Sequence, residues 1–221
     1  RGAVIYNPAT VHDRAPEPLP EYAAELRYRI ACLSNYSWSR GIDRLVDVAA
    51  ALAAQGRRDV LFLVAGNMAL RRSLPGALGR IARRGGSLVD YAAARGVSDM
   101  FAFLGHVDHP ERVLVSSDAL IKPSREANPW GRDIIEALAA SRPVIAVGSW
   151  TGFVSPGETG ILQDSFDAQA LATEIGRLAN NRECSQAMGA AGRNRVAALC
   201  EPKKQAAKLA KFWFEARRRA E

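Results

Sequence analysis

Short apolar runs alternate along this chain with longer segments in which apolar residues recur every three or four positions. The short runs predict strands at residues 29–34, 60–66, 100–105, 118–124 and 143–147. They are nearly continuous in apolar side chains, which is typical of parallel strands buried on both faces of a sheet. The first residues, RGAVIYNP, also resemble a strand, and one that begins midway. We therefore expect a domain cut from a longer protein.

Helical periodicity lies between and after these strands. Residues 41–56 repeat apolar positions at helical spacing, residues 87–96 end on a glycine placed as a C-cap, and residues 133–141 follow the fourth strand. Further helices are predicted near residues 167–180, 184–199 and 203–219. This alternation predicts the α/β class, as a Rossmann-like, doubly wound parallel sheet with right-handed crossovers. No linker or repeat interrupts residues 1–221, so a single domain is expected.

In an open parallel sheet, ligands bind outside the carboxyl ends of the strands, so the loops after the strands are the expected site. These loops cover residues 34–41, 65–72, 105–111, 123–132 and 147–153. The sequence has no GxGxxG after the first strand, no Walker A loop and no DxD pair to hold a divalent metal. A fold that usually binds nucleotides therefore lacks the two commonest nucleotide signatures, and no metal site is predicted.

Composition and charge indicate the cellular compartment of the protein and the class of its binding partner. Hydrophobic residues make up 48% of the chain, and no apolar run is as long as a membrane span. Cys32, Cys184 and Cys200 form no CxxC pair and lie away from the histidines, which predicts reduced thiols in a cytoplasmic protein. The net charge of +7 favours an anionic partner: nucleic acid, acidic lipid or a phosphate-bearing small molecule.

The arginines form two clusters, at residues 71–84 and 217–219. Such clusters are most often solvated helix faces. No helix-turn-helix, zinc finger or aromatic RNA-binding motif accompanies them, so nucleic acid is the less favoured partner.

The stretch ANPWGR, residues 127–132, precedes a helix predicted to begin near Gly131. Free backbone N–H groups and the positive end of the helix dipole favour a phosphate there, and a glycine lets the ligand approach closely. Arg132 and Arg40 can add charge-assisted hydrogen bonds. Glu136, in the second turn, looks buried between apolar residues. Its carboxylate can accept hydrogen bonds from two ribose hydroxyls or pair with a local arginine.

Several segments, in this order, resemble glycosyltransferase family 4: residues 4–8, 34–52, 101–107, 116–124, 127–147 and 155–164. The resemblance is to the C-terminal, donor-binding half of a GT-B fold and covers residues 4 to about 200. It implies a retaining, metal-independent transfer of sugar from a UDP- or GDP-linked donor, with no cofactor. The acceptor, a glycan, lipid or small molecule, would bind through an N-terminal domain absent from this chain, so the isolated chain is expected to transfer little.

The resemblance also assigns roles to residues. The second Glu of the family's E-x7-E motif falls on Glu136, for the ribose, and the first, for the donor sugar, falls on Asn128. The family's basic pair falls on Asn35 and Arg40, so one positive charge for the diphosphate is lost, and Arg132 is expected to compensate. The predicted catalytic residues are Arg40, Asn128 and Glu136.

The donor-binding residues implied by the resemblance are Asn35, Arg40, Gly66, His106, Val107, Pro129, Trp130, Gly131, Arg132 and Glu136. His106 and Val107 belong to the loop that lines the base in relatives, although an exposed loop histidine is an equal alternative. Trp130 stands where relatives often have Phe, and we expect it to pack rather than to stack on the sugar. The Gly-Gly-x-x-Glu loop of the family becomes GSWTGF, residues 148–153, without its Glu.

Other functions stay open at this point. A sugar-nucleotide epimerase or a phosphorylase can have the same fold. Asn128 and Asn35 could instead mark a non-catalytic domain that binds lipid or nucleic acid through the arginine clusters. For an enzyme, the basic surface would favour peripheral contact with the cytoplasmic face of an acidic membrane.

Overall fold

The computed structural model describes residues 4–9, 16–22 and 24–220, with side chains to residue 218. The strands are β1 (Tyr28–Leu33), β2 (Val60–Ala65), β3 (Phe101–Gly105), β4 (Ala119–Lys122), β5 (Val144–Val147) and β6 (Gly160–Gln163). The helices are α1 (Arg44–Ala54), α2 (Gly76–Arg83), α3 (Leu88–Ala94), α4 (Pro110–Val115), α5 (Arg132–Ala139), α6 (Ala168–Asn180), α7 (Arg182–Leu199) and α8 (Pro202–Ala220). Short 3-10 helices occupy Pro20–Tyr22 and Ser98–Met100.

The six strands form one parallel sheet in the order β3-β2-β1-β4-β5-β6. This confirms the predicted Rossmann-like class. The order reverses between β1 and β4, which are paired in register at two positions, Ile30 with Ala119 and Ala31 with Leu120. Reversal of the strand order opens a crevice at the carboxyl ends of the strands. The fold therefore directs a ligand to the loops after β1 and β4.

Alternating side chains of the strands supply two cores, one on each face of the sheet. Ile30, Phe62 and Val64 face a core completed by α1, α2, α3 and α6. Ala31 and Leu63 face the other, completed by α4, α5 and α7. Every residue of β2 is buried, as a central strand between two helical layers requires. Burial on both faces is the reason that the central strands read as nearly continuous apolar runs.

The sequence missed three elements, namely β6, α2 and α4. The strand expected at residues 4–8 was also wrong, because residues 4–9 form no strand. Their backbone N–H groups bond elsewhere: Tyr6 donates to Gln205 Oε1 at 3.0 Å and Ala9 to the Cys200 carbonyl at 3.0 Å. Residues 1–3 lie outside the described residues. Gly96 has φ +68° just after α3, as a C-cap glycine should.

Candidate functional site

A cleft of about 1430 Å³ opens at the carboxyl edge of the sheet and continues along α5. The loops after β1, β2 and β3 line it together with the first turns of α5. Seven predicted donor-binding residues lie on its wall: Asn35, Arg40, Gly66, His106, Val107, Arg132 and Glu136. The other three, Pro129, Trp130 and Gly131, lie in the loop before α5, as does Asn128, which was predicted to be catalytic.

The start of α5 is built for close approach of an anion. The helix begins at Arg132, directly after Gly131, as predicted. Gly131 has φ +143°, and a Cβ there would lie 2.6 Å from both Lys122 Nζ and Asp133 Oδ1. The N-cap residue is Gly131 itself, which has no side chain to cap the first turn. Its backbone N–H groups and the positive end of the helix dipole therefore favour a negatively charged group.

Lys122, at the end of β4, supports this helix start and was missed by sequence reasoning. Its ammonium donates to the Trp130 carbonyl at 2.6 Å and to Asp133 Oδ1 at 3.2 Å. The sequence feature that could have revealed it is a lysine at the end of a buried strand, since ligands bind at the carboxyl ends of such strands. Cys32 of β1 is fully buried, and burial raises the pKa of its thiol to about 12. It is therefore an inert neighbour of these charges.

Arg40 and Asn35 lie on the loop after β1. One Arg40 Nη donates to Ser34 Oγ at 2.7 Å, and Asn35 Oδ1 accepts from the Asn67 N–H at 2.8 Å. Asn35 thus ties this loop to the loop after β2. A Cβ at Gly66 would lie 2.5 Å from the Ser34 carbonyl, so the two loops meet only around a glycine. The Arg40 guanidinium is held at the wall of the cleft by these contacts.

A buried ion pair joins the loop after β1 to the loop before α5. Arg125 contacts both carboxylate oxygens of Asp43, one of them at 2.9 Å, and lies 3.6 Å from the Trp38 ring centroid. The Arg125 N–H also donates to the Ser39 carbonyl at 2.8 Å. Burial alone would lower the pKa of Arg125, but its hydrogen bonds and attraction to Asp43 raise it. We call Asp43, Trp38 and Arg125 the loop clamp.

Glu136 is not buried, which corrects the expectation from its apolar neighbours. Ile134, Ile135 and Leu138 face the core, whereas the Glu136 side chain is 36% exposed. Its Oε1 accepts from Arg132 Nε at 2.6 Å, so the alternative of a local arginine partner is realised. An exposed pair at this spacing is worth only about 0.3–0.5 kcal/mol. Ligand hydroxyl groups can therefore displace it.

The loop before α5 carries a buried amide oxygen without a hydrogen-bond partner and an aromatic contact. Asn128 Oδ1 is buried and has no hydrogen-bond partner within the described part of the chain. Pro129 is buried, and Trp130 meets Trp150 edge to face with ring centroids 5.8 Å apart. Trp130 is 46% exposed despite this contact, and its packing in place of stacking on a sugar stays a prediction.

His106 projects into solvent. Its side chain is 88% exposed, and its Nε2 lies 3.4 Å from Asp108 Oδ1. Val107 beside it is half-buried on the cleft wall. The described residues contain no group of three His, Cys, Asp or Glu side chains placed to hold a metal ion. None of the helices in the described ranges is long and apolar enough to cross a membrane.

Residues 21–195 match the family model described as glycosyl transferases group 1. No curated protein matches the chain significantly. Among solved structures, HepE of Anabaena in complex with UDP has a TM-score of 0.77 at 18% identity, covering 96% of this chain and 57% of HepE.

Two further structures are similar. Sucrose-phosphate synthase of Thermosynechococcus elongatus has a TM-score of 0.73 at 25% identity, covering 96% of this chain and 52% of the synthase. A TarM mutant of S. aureus, in complex with Fondaparinux, alpha-GlcNAc-glycerol and UDP, has a TM-score of 0.74 at 19% identity. The alignment covers 95% of this chain and 38% of TarM. These likenesses show that the chain has the fold of one half of a GT-B protein. The chain spans 38–57% of the length of these three proteins.

Proposed function

We propose, from the premise that the chain belongs to the glycosyl transferases of group 1, that it is the donor-binding half of a retaining, metal-independent glycosyltransferase. Its donor would be a nucleoside diphosphate sugar, UDP- or GDP-linked, and the sugar a hexose or hexose derivative. One observation carries this proposal: the uncapped start of α5, Arg40 and Glu136 face one cleft where the strand order reverses.

The diphosphate would lie on the first turn of α5. Backbone N–H groups there would donate hydrogen bonds to an anion without the cost of rearrangement. Arg40 and Arg132 would supply positive charge from the wall of the cleft. When the glycosidic bond breaks, negative charge grows on the leaving phosphate. Fixed donors stabilise that charge in the transition state, which is the role a metal ion fills in other transferases.

The nucleoside would follow the cleft away from the phosphates. Glu136 would exchange its exposed pair with Arg132 for hydrogen bonds from the two ribose hydroxyls. His106 and Val107, on the loop after β3, would line the base. Binding would then free Arg132 to face the diphosphate, so one rearrangement would serve both ends of the nucleotide.

Asn128 would contact the donor sugar. An amide can donate and accept hydrogen bonds with sugar hydroxyls, but it carries no charge next to a developing oxocarbenium centre. Its unpartnered buried oxygen supports a polar ligand in this loop. Arg40, Asn128 and Glu136 are thus our candidates for catalysis.

The acceptor would bind through a separate N-terminal domain, and residues 1–221 would form one donor domain. Alone, this domain would bind the donor and transfer little. We place the protein in the cytoplasm or at the inner face of the cytoplasmic membrane, where donors of this class are made and lipid-linked acceptors lie.

Isothermal titration calorimetry of the chain with UDP, GDP and ADP, in EDTA, tests the proposal. We expect one nucleotide to bind, and Glu136→Ala or Arg40→Ala to weaken it at least tenfold. Glu174→Ala is the matched control, because Glu174 also forms an exposed helical pair with an arginine, Arg177 at 3.0 Å, away from the cleft. Equal effects of Glu136→Ala and Glu174→Ala would contradict the proposed ribose contact, and binding of no nucleotide would reject the donor domain. Product analysis with the full-length protein then separates transfer from isomerisation of the sugar.

A further inference from the structure

Lys122, the last residue of β4, places a positive charge at the start of α5. Its ammonium donates to the Trp130 carbonyl at 2.6 Å and to Asp133 Oδ1 at 3.2 Å, so it contacts the chain on both sides of Gly131. A Cβ on Gly131 would lie 2.6 Å from this ammonium. The glycine therefore leaves room for the ammonium beside the N–H groups that begin the helix.

The Lys122 ammonium can accommodate a further acceptor. An ammonium carries three N–H donors, and the described residues supply acceptors for two of them. The Lys122 side chain is 20% exposed, and its partner Asp133 lies on the wall of the cleft. By contrast, the Arg132 side chain is 83% exposed and extends to Glu136. A cation that is already held by two acceptors loses less conformational freedom when it binds an anion.

Lys122 and Arg40 approach the same point from two neighbouring strands. Burial raises the pKa of the Cys32 thiol, and both cations lie close enough to that thiol to lower its pKa in the opposite direction. Cys32 is the second-last residue of β1, which pairs with β4 where the strand order reverses. One cation thus reaches the crevice from the loop after β1 and the other from the end of β4.

We propose that Lys122 binds the distal phosphate of the donor, the one bonded to the sugar; this inference rests on the proposed function. Asn128, assigned to the sugar, precedes the start of α5, and Glu136, assigned to the ribose, follows it. Lys122 contacts the Trp130 carbonyl, on the Asn128 side of the helix start, and so lies towards the sugar. Its ammonium would stabilise the negative charge that grows on this phosphate when the glycosidic bond breaks.

Asp133 opposes this interaction. Its carboxylate lies on the same cleft wall, where it would repel a phosphate, and its pairing with Lys122 at 3.2 Å balances that charge. A bound phosphate would share the ammonium with Asp133. Removing the negative charge of Asp133 should therefore strengthen phosphate binding, whereas a purely structural pair would lose function when either partner is changed.

Calorimetry of the chain with a nucleoside diphosphate and its monophosphate tests this role, with UDP and UMP, GDP and GMP, and ADP and AMP. Lys122→Met should weaken binding of the preferred diphosphate at least about tenfold, because a charge-assisted hydrogen bond is lost. The monophosphate lacks the distal phosphate, so its affinity should change less than about threefold. Asp133→Asn keeps an oxygen for Lys122 and should strengthen diphosphate binding about twofold or more.

Two further variants separate contact with the phosphate from other effects of the change. Arg29→Met is the matched control, because Arg29 forms a partly buried pair with Asp118 at 3.3 Å near the amino end of β1. Its diphosphate affinity should stay within about twofold of the unchanged chain. Lys122→Met combined with Asp133→Asn removes both charges, and it should still bind the diphosphate at least about fivefold more weakly. Circular dichroism sets a temperature at which every variant is folded.

Three outcomes would overturn the assignment of Lys122. The first is equal weakening of diphosphate and monophosphate binding by Lys122→Met, which indicates a structural role alone. The second is full recovery of affinity in the double variant, which indicates that Lys122 only balances Asp133. The third is diphosphate binding that Glu136→Ala weakens and Lys122→Met does not, in which case the donor site stands without Lys122. Binding of no nucleotide to the unchanged chain would reject the proposed function, and this inference with it.

Discussion

Arg125→Ala should be the most destabilising single change at the site, because it leaves the Asp43 carboxylate buried without its partner. Asp43 is 4% exposed, and both of its carboxylate oxygens contact Arg125. Breaking a buried pair by removing one partner costs about 3–5 kcal/mol. The stacking of Arg125 on Trp38 at 3.6 Å contributes roughly 0.5–2 kcal/mol of the same loss. The loop before α5 then loses its tie to the loop that carries Arg40.

The assay is urea unfolding of a double-mutant cycle, with Asp43→Ala, Arg125→Ala and the double variant. A loss of about 3–5 kcal/mol corresponds to a fall in melting temperature of roughly 6–20 °C for a chain of this size. The double variant should lose less than the sum of the single changes, with a coupling of about 1–3 kcal/mol. Arg177→Ala, which breaks the exposed pair with Glu174, is the matched control and should cost less than about 1 kcal/mol. If Arg125→Ala costs no more than Arg177→Ala, the clamp does not stabilise the site.

Three other predictions concern the same chain. Gly131→Ala should destabilise the protein by about 1–3 kcal/mol, because an L side chain is strained at its φ of +143°. It should also weaken nucleotide binding, because the new Cβ would displace the Lys122 ammonium, 2.6 Å away. Calorimetry with unchanged affinity would refute this. Lys122→Met should lower the free energy of unfolding in urea by about 1.5–3 kcal/mol, because the hydrogen bond from Lys122 to the Trp130 carbonyl is lost. Unchanged stability would show that this hydrogen bond is dispensable. Hydrogen bonds from Arg27 lower the pKa of Glu25 to about 2, so Glu25 stabilises the fold above its unfolded pKa of about 4.5, and this is lost as pH falls towards 2. The stability advantage over Glu25→Gln should therefore shrink between pH 6 and pH 3, and an advantage independent of pH would refute the assignment.

Most strands that the sequence predicted are those whose local pattern reflects burial on both faces of the sheet. Strands β1, β2, β4 and β5 are largely buried and nearly continuous apolar runs, and the edge strand β3, FAFLG, is apolar as well. Strand β6 is a four-residue edge strand, GILQ, that is only half apolar. The sequence of helix α2, GALGRIAR, contains two glycines and two arginines, which obscure its helical periodicity. Helix α4 has only six residues. Short elements at the rim of the fold are defined by tertiary contacts, and their own residues carry too little periodicity to reveal them.

The site divides in the same way. The carboxyl ends of parallel strands lie at one edge of a sheet, so the loops after β1, β2, β3 and β4 must converge. The cleft could therefore be predicted. The partners of single side chains could not: Arg125 and Asp43 are 82 residues apart, and the direction of Lys122 depends on where β4 ends. Glu136 was misjudged because its neighbours in sequence face the core while its own position on the helix does not. Apolar neighbours one residue away lie on a different side of a helix.

The partial positive charge at the start of α5, its positive pole, comes from backbone peptide groups. Among side chains it depends mainly on their absence at Gly131, directly before the helix. Such a pole cannot be titrated, oxidised or acetylated, and it keeps its sign at any pH at which the helix is folded. Side chains around it can be exchanged one at a time while the pole persists. Under the proposed function, positions such as Asn128 could therefore change to suit another donor sugar while the helix start that would hold the diphosphate is kept.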